Sequence, residues 1–233
     1  MKNLIDEKPT DALYGRTRFT FEFVSNNDID SKHILDIGCG FGWFEFNAIS
    51  RGAAKIIGIE PSEQDLSSAR KYTDNQKIEF KAGGATDLPF KDASFDTVVA
   101  WEVLEHIPKN TENTMFREVC RVLKDDGVFY LSTPNNSFFS VLFDPAYWLI
   151  GHRHYSKERI IHFSSNNGLY LDNYVINGGW WEIFSINNLL VSKWIFRRRP
   201  FMNSFVATMV DREYSQKNGF TNIFMKFRKK SNK

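Results

Sequence analysis

The residues best suited to chemistry lie in one run, Leu35-Asp36-Ile37-Gly38-Cys39-Gly40-Phe41-Gly42. A short apolar stretch passes into glycines and then into helix-forming sequence. Glycines at such a corner permit a tight turn and let a ligand approach the backbone. Spacing narrows the ligand. Gly38, Gly40 and Gly42 make Gly-x-Gly-x-Gly, and Trp43 stands where the dinucleotide fingerprint has its last glycine. A tryptophan there obstructs the close helix–strand packing around a pyrophosphate, which argues against NAD or FAD. No Gly-Lys-Ser/Thr follows, so the turn is not a P-loop. Glu60 ends a second apolar run, 20 residues after Gly40, where an acid can accept hydrogen bonds from both ribose hydroxyls of an adenosine ligand. A second pattern is Glu102-x-x-Glu105-His106. Carboxylates and an imidazole at that spacing can converge on a divalent cation. The plainer alternative is that Glu102 faces the ligand side while Glu105 and His106 cap or line a helix, and it outweighs the metal.

The elements that must position these residues can be read from periodicity. A helix is expected over Asp11 to Val24, with Leu13, Phe19 and Phe23 able to share a face, broken by Asn26-Asn27-Asp28. Strands are expected at 33–37, 55–59, 78–80, 95–100 and 128–132, alternating with helices. That succession means a mostly parallel, doubly wound α/β sheet. After Pro134 the pattern weakens. Residues 135–155 are aromatic-rich and irregular, a helix follows Ser156, and 169–176 reads as a strand. Helical pieces at 183–196 and 201–213 precede a last strand at 221–227.

Composition excludes several classes. The chain has 233 residues, 42% hydrophobic and 25% charged, so it is neither disordered nor fibrous and can bury a core without staples. No uninterrupted apolar stretch long enough for a transmembrane helix is visible, and no secretory signal. Cys39 and Cys120 read as reduced thiols of a cytoplasmic protein. The net charge of +2 hides a sorting: residues 183–233 hold 11 Lys and Arg against two acids. That excess is either a solubilising tail or a contact for an anionic partner. Of the 36 aromatic residues, 22 lie in 127–233, enough ring surface to line a substrate cavity.

The glycine run, Gly58-Ile59-Glu60-Pro61-Ser62, Asp87-Leu88-Pro89-Phe90, Ser94-Phe95-Asp96-Thr97-Val98-Val99, Trp101-Glu102-Val103-Leu104-Glu105-His106-Ile107 and Leu123-Lys124-Asp125-Asp126-Gly127 together resemble the class I S-adenosylmethionine-dependent methyltransferases. The likeness covers about residues 30–176, and the subgroup is similar to the ubiquinone-biosynthesis-like O-methyltransferases. It implies a seven-stranded sheet in the order 3-2-1-4-5-7-6 with its last strand antiparallel, and aromatic-rich insertions after strands 5 and 6. It implies one domain over 1–233: an N-terminal helix in 1–30, a cofactor core at 31–134, and acceptor-side insertions and last strands at 135–233. It carries cofactor contacts to Asp36, Gly38, Cys39, Gly40, Gly42, Glu60, Pro61, Gly84, Ala85, Trp101 and Glu102. The family often has Gly-Asp-Ala where this chain has Gly83-Gly84-Ala85. The adenine contact must then come from backbone at Gly84 and Ala85 or be lost.

Methyl transfer is an in-line displacement that needs alignment, exclusion of water and, for a hydroxyl acceptor, a base near neutral pH. Of five histidines, His106 and His154 are the expected bases, while His33 and His162 read as structural and His152 lies beside His154. The Glu-x-x-Glu-His pattern also resembles the metal site of small-RNA 3′-end 2′-O-methyltransferases, which add a later histidine. The metal candidates by that likeness are Glu102, Glu105, His106 and His154. The expected acceptor is a sugar or lipid-linked cell-envelope intermediate. A quinone-like or other small molecule is the alternative, and a cofactor-binding scaffold without transferase activity is a reading of another class. No nucleic-acid partner is expected, because no RNA-binding module is recognisable. The basic C-terminal part, with Trp194 beside Arg197, Arg198 and Arg199, suits peripheral contact with an anionic membrane at its inner face.

Overall fold

The computed structural model describes residues 8–198, 200–216 and 218–231, with 193 and 194 described in backbone only. Arg199 and Lys233 lie outside the described residues, as does the side chain of Trp194. In chain order the elements are α1 (Gly15–Phe23), β1 (His33–Ile37), α2 (Trp43–Ala48), β2 (Lys55–Glu60), α3 (Glu63–Tyr72) and β3 (Ile78–Ala82). Then come β4 (Phe95–Trp101), α4 (Glu112–Val122), β5 (Leu123–Pro134), α5 (Phe138–Leu142), α6 (Pro145–Ile150) and α7 (Lys157–Ser165). The chain closes with β6 (Leu169–Asn177), α8 (Trp180–Trp194), α9 (Asn203–Tyr214) and β7 (Asn222–Lys229).

The seven strands form one sheet in the expected order, β3-β2-β1-β4-β5-β7-β6. β1 to β5 pair in parallel, and β7 runs antiparallel between β5 and β6. Ile37 lies level with Ile59 and Ala100, and Trp101 with Ser132, so the carboxyl ends of β1, β2, β4 and β5 share one edge. Ligands of open α/β sheets bind outside that edge. Alternation along the strands feeds two cores. Leu35, Ile37, Val98, Phe129 and Leu131 pack under Phe116 and Val119 of α4 and Ile160 of α7. Ile34, Ile56, Val99 and Tyr130 pack under Phe44 of α2, with Phe21 and Phe23 of α1 against them.

Departures from the expected elements have local causes. α1 begins at Gly15, not Asp11: Gly15 takes φ +55°, and its N–H donates to Asp211 Oδ1 at 2.8 Å instead of continuing a helix. The stretch 135–155 holds two short helices, each started by a side-chain cap. Ser137 accepts from Ser140 N, and Asp144, ahead of Pro145, accepts from Ala146 N. The C-terminal cations are not a free tail. Lys226 is half-buried in β7 and pairs with Asp28 at 2.8 Å and Asp172 at 3.3 Å. Arg228 pairs with Asp172 at 3.2 Å, and Lys229 donates to the Leu123 carbonyl at 2.6 Å.

The insertion after β6 is fastened by carboxylates. Gly179 offers α8 no capping side chain, and Glu213 of α9 supplies one. Its oxygens accept from the backbone N–H groups of Gly179, Trp181 and Glu182 at 2.7–3.0 Å. Glu182 itself is buried and accepts from Tyr214 Oη and Thr221 Oγ1 at 2.5 Å and Asn222 Nδ2 at 2.9 Å, with Arg16 Nε at 3.5 Å. Glu182→Ala removes the acceptor that Tyr214, Thr221 and Asn222 share and should cost about 3–5 kcal/mol, the scale of a broken buried charge network. Urea unfolding measures it, and a loss below about 1 kcal/mol would mean that the network contributes little to stability.

Candidate functional site

The turn after β1 is closed by backbone. Gly38 and Cys39 both donate to the Ile59 carbonyl, at 2.8 and 3.1 Å, so the end of β2 fixes the turn. Its glycines have different jobs. Gly38 has φ +74°, and a Cβ there would lie 2.5 Å from Val103 Cγ2, so this glycine lets the turn after β4 pack close. Gly40, at φ +52°, has nothing within 4 Å of the same position. The middle of the turn is therefore open to an approaching group. Glu60 stands beside it: one carboxylate oxygen accepts from Gly40 N at 3.2 Å, the other from Ser62 N at 3.0 Å. Pro61 is exposed between Glu60 and Ser62, the residue whose hydroxyl caps α3. Gly84 is exposed with open space above its Cα, while Ala85 is buried in the core, which leaves backbone facing that part of the edge.

Beneath the turn two carboxyl groups are buried. Asp36 lies in β1 and Glu45 in the first turn of α2, and neither Asp36 Oδ1 nor either Glu45 oxygen has a hydrogen-bond partner. Burial raises both, Asp36 well above the carboxylate range and Glu45 to about 8. Sequence reasoning singled out Asp36 but not Glu45. The available signal was an acid inside the apolar run Trp43-Phe44-Glu45-Phe46.

Trp101 is buried, its ring against Phe44 and Tyr130 and its indole N–H without a partner. Glu102 has φ +55°, and its carboxylate is already engaged by Arg16 at 2.8 Å and Ser132 Oγ at 2.6 Å. The expected metal set is thereby corrected: Glu102 is neutralised by Arg16 and does not join Glu105, His106 and His154. His152 joins them instead. Its Nε2 lies 3.4 Å from His106 Nε2 and 3.8 Å from Glu105 Oε1, a buried atom without a hydrogen-bond partner. Its Nδ1 lies 3.0 Å from Asp144 Oδ2, which His154 Nε2 approaches to 2.9 Å. Two overlapping groups can hold a metal ion, Glu105–His106–His152 and Asp144–His152–His154, each with ligand atoms within 4.8 Å of one another.

The histidines differ in access. His106 is exposed, and partial desolvation together with the neighbouring His152 lowers its pKa below the usual value, so its neutral ring is available to accept a proton. His154 is 2% exposed, with Nδ1 at 3.1 Å from the Asn135 carbonyl and 3.2 Å from Ser140 Oγ. It is tied on both sides. His33 opens β1 at the far edge, and His162 sits on α7. Arg153 clamps this loop to the turn after β4, donating to the carbonyls of Leu104, Glu105 and Ile107 and pairing with Glu112 at 2.8 Å.

Residues 34–127 match the family model described as a methyltransferase domain. A ubiquinone biosynthesis O-methyltransferase of Neisseria meningitidis is 33% identical over 114 residues, 47% of this chain and 47% of that protein. The chain thus aligns with about half the length of the curated relatives it matches. An S-adenosylmethionine-dependent methyltransferase from Mesorhizobium loti superposes with TM-score 0.62 at 17% identity, covering 90% of this chain and 95% of that one. The [4+2]-cyclase SpnF superposes with TM-score 0.67 at 18% identity, covering 96% and 90%. At such identities the structural likeness establishes the fold alone.

Asp144 carries a test of the histidine loop. Burial raises its carboxyl, but hydrogen bonds from His152 and His154 outweigh that and hold it below the ordinary range. A depressed carboxylate stabilises the fold above its unfolded pKa and loses that contribution as pH falls. Below about pH 3.8 the 144–155 segment should lose hydrogen-exchange protection ahead of the sheet, and in Asp144→Asn that pH-dependent step should be absent. An identical profile in the variant would show that the loop is held by other contacts.

Proposed function

We propose that the chain is a class I S-adenosylmethionine-dependent O-methyltransferase, from the premise that residues 34–127 match the family described as a methyltransferase domain. The observation that carries this reading is a juxtaposition. An open glycine turn faces the Glu60 carboxylate, and the turn bearing His106 packs against Gly38 through Val103. The residues fit the cofactor. Gly40 leaves room for its methionine end, Gly38, Cys39 and Gly42 shape the turn around that opening with Asp36 below, and Glu60 and Pro61 border the ribose. Backbone at Gly84 and Ala85 borders the adenine, while Trp101 and Glu102 close the floor. S-adenosylmethionine supplies a methyl group on an activated sulfonium. The chain's own residues align the acceptor, exclude water and take its hydroxyl proton, and His106 is the base in this reading. His154 acts through Asp144 and His152 as a positioning residue. A divalent cation between Glu105, His106 and His152 is the second reading of how the hydroxyl is activated. The facing imidazole nitrogens and the orphaned Glu105 oxygen favour it.

The acceptor in this proposal is a hydroxyl on a sugar or lipid-linked cell-envelope intermediate, met at the inner face of a membrane by a cytoplasmic enzyme. No helix among the described residues is long and apolar enough to cross a membrane. An apolar face nevertheless opens outward. Its exposed members include Trp148, Leu149 and Ile150 of α6, Phe139 and Trp180, whose rings touch, and Phe196 and Phe205. Arg197 and Arg198 border it, exposed. Since the β7 cations are paired, the anionic contact falls to this border rather than to the C-terminal strand. The name of the Neisseria relative favours a quinone-like acceptor as the alternative; that too would be a hydroxyl on an amphiphile.

Glu60→Ala should weaken cofactor binding by about 1–3 kcal/mol in calorimetry. His106→Ala should lower turnover about 10²-fold or more with little change in cofactor affinity. Wild-type rates in that variant, with the true acceptor found by labelling lipid and soluble fractions, would move the base elsewhere. Chelator treatment with unchanged turnover would remove the cation reading. On vesicles, binding should need anionic lipid and weaken with salt, each arginine contributing about 1 kcal/mol. Arg197→Ser with Arg198→Ser should reduce it, and equal binding to neutral vesicles would remove the charge from the argument.

A further inference from the structure

Side chains of β1 alternate, so Asp36 turns with Ile34 toward α2 rather than toward α4. There it meets Glu45, and the two carboxyls face each other. The glycine at position 58 shows how tightly they are held. Gly58 is the β2 neighbour of Asp36, and a Cβ on it would lie 2.4 Å from Glu45 Oε1 and 2.8 Å from Cys39 Sγ. Glu45 therefore rests on β2 directly under the turn residue Cys39. Asp36 is 1% exposed and Glu45 0% exposed. The groups that act on them from the surrounding elements are Glu60 at the end of β2 and the Cys39 thiol, itself pushed up by burial. β4 contributes Val99 beside Asp36, and α2 contributes Phe44 to the same core. Among the described residues no cation acts on the pair.

Two carboxylates buried together without a donor or a counter-charge are too costly to persist as a double anion. A proton on each removes both charges. We infer that Asp36 and Glu45 are both kept protonated beneath the glycine turn and together give up one proton when a cationic ligand seats on that turn, the remaining O–H of the pair donating to the new carboxylate, so that cofactor binding is coupled to proton release. The inference rests on the reading of the turn as the S-adenosylmethionine site. The chemistry is one O–H bond broken on a carboxyl, its proton passing to bulk buffer and a carboxylate left behind. Burial holds Glu45 near 8, so the proton is present at neutral pH before the ligand arrives. The ligand brings a sulfonium and an ammonium into a poorly solvated site, where a positive charge lowers the pKa of a nearby acid strongly. After transfer the sulfonium has become a neutral thioether. One positive charge is gone, the pair takes its proton back, and the product is held less well than the substrate form of the cofactor.

Isothermal titration of S-adenosylmethionine into the whole chain, near pH 7 in buffers of different ionisation enthalpy, counts the protons. The expected release is roughly one proton per ligand bound, with a clearly smaller number for S-adenosylhomocysteine. Glu45→Gln keeps the shape of the neutral acid and should bind the ligand with proton release near zero. Asp36→Asn should do the same by the other partner. Normal binding by the wild type without proton release, or an unchanged proton count in Glu45→Gln, would overturn the inference while leaving the cofactor site intact. Absence of binding by a folded wild-type chain would overturn the cofactor reading and this inference with it.

Discussion

The guanidinium of Arg16 is the joint on which the functional edge depends. It lies in the first turn of α1 and reaches Glu102 after β4 and Glu182 in α8. Burial alone would make it easier to deprotonate, but the carboxylates of Glu102 and Glu182 reverse that and hold the charge firmly. Three segments far apart in sequence thus share one cation. Without it, Glu102 and Glu182 would be partly or fully buried acids facing each other across the sheet edge. With it, the N-terminal helix, the end of β4 and the insertion after β6 are set in fixed relation to the glycine turn.

The edge therefore carries two acid groups treated in opposite ways. Around Arg16 the carboxylates are neutralised by a built-in cation and donors, and they act as struts. Under the glycine turn Asp36 and Glu45 are left without a cation. One acid cluster of the edge thus has its counter-charge built in, and the other has none among the described residues. Glu60 lies between the two regimes, its oxygens occupied by backbone N–H groups and its neighbourhood open.

What was legible in the sequence was what depends on short-range pattern. The Gly38–Gly42 turn, the acid at Glu60 and the apolar runs are local, and together they fix five parallel strands and their edge. β6 and β7 were legible too, as late strands. What escaped depends on partners distant in sequence. His152 reads like one more loop histidine until β5 and α6 carry it to His106, 46 residues earlier. The cations of β7 look like a free basic tail because Asp28 and Asp172, which neutralise Lys226, are remote from them in sequence. Glu45 reads as a solvated helix residue unless one knows that α2 lays that face on Gly58. The helices α5 and α6 are too short for periodicity to reveal, and their caps, Ser137 and Asp144, are the only local sign.

The cap on α8 ties that helix to α9. The helix begins after Gly178-Gly179, and its first amides are satisfied by Glu213, more than two helical turns into α9. A helix whose nucleating turn lacks its own cap gains little by forming alone. The first turn of α8 is therefore completed by α9, which itself packs on α1 and on Phe224 of β7. Loss of α9 would strand the amides of Gly179, Trp181 and Glu182 together and uncover the side of α8 that α9 packs against.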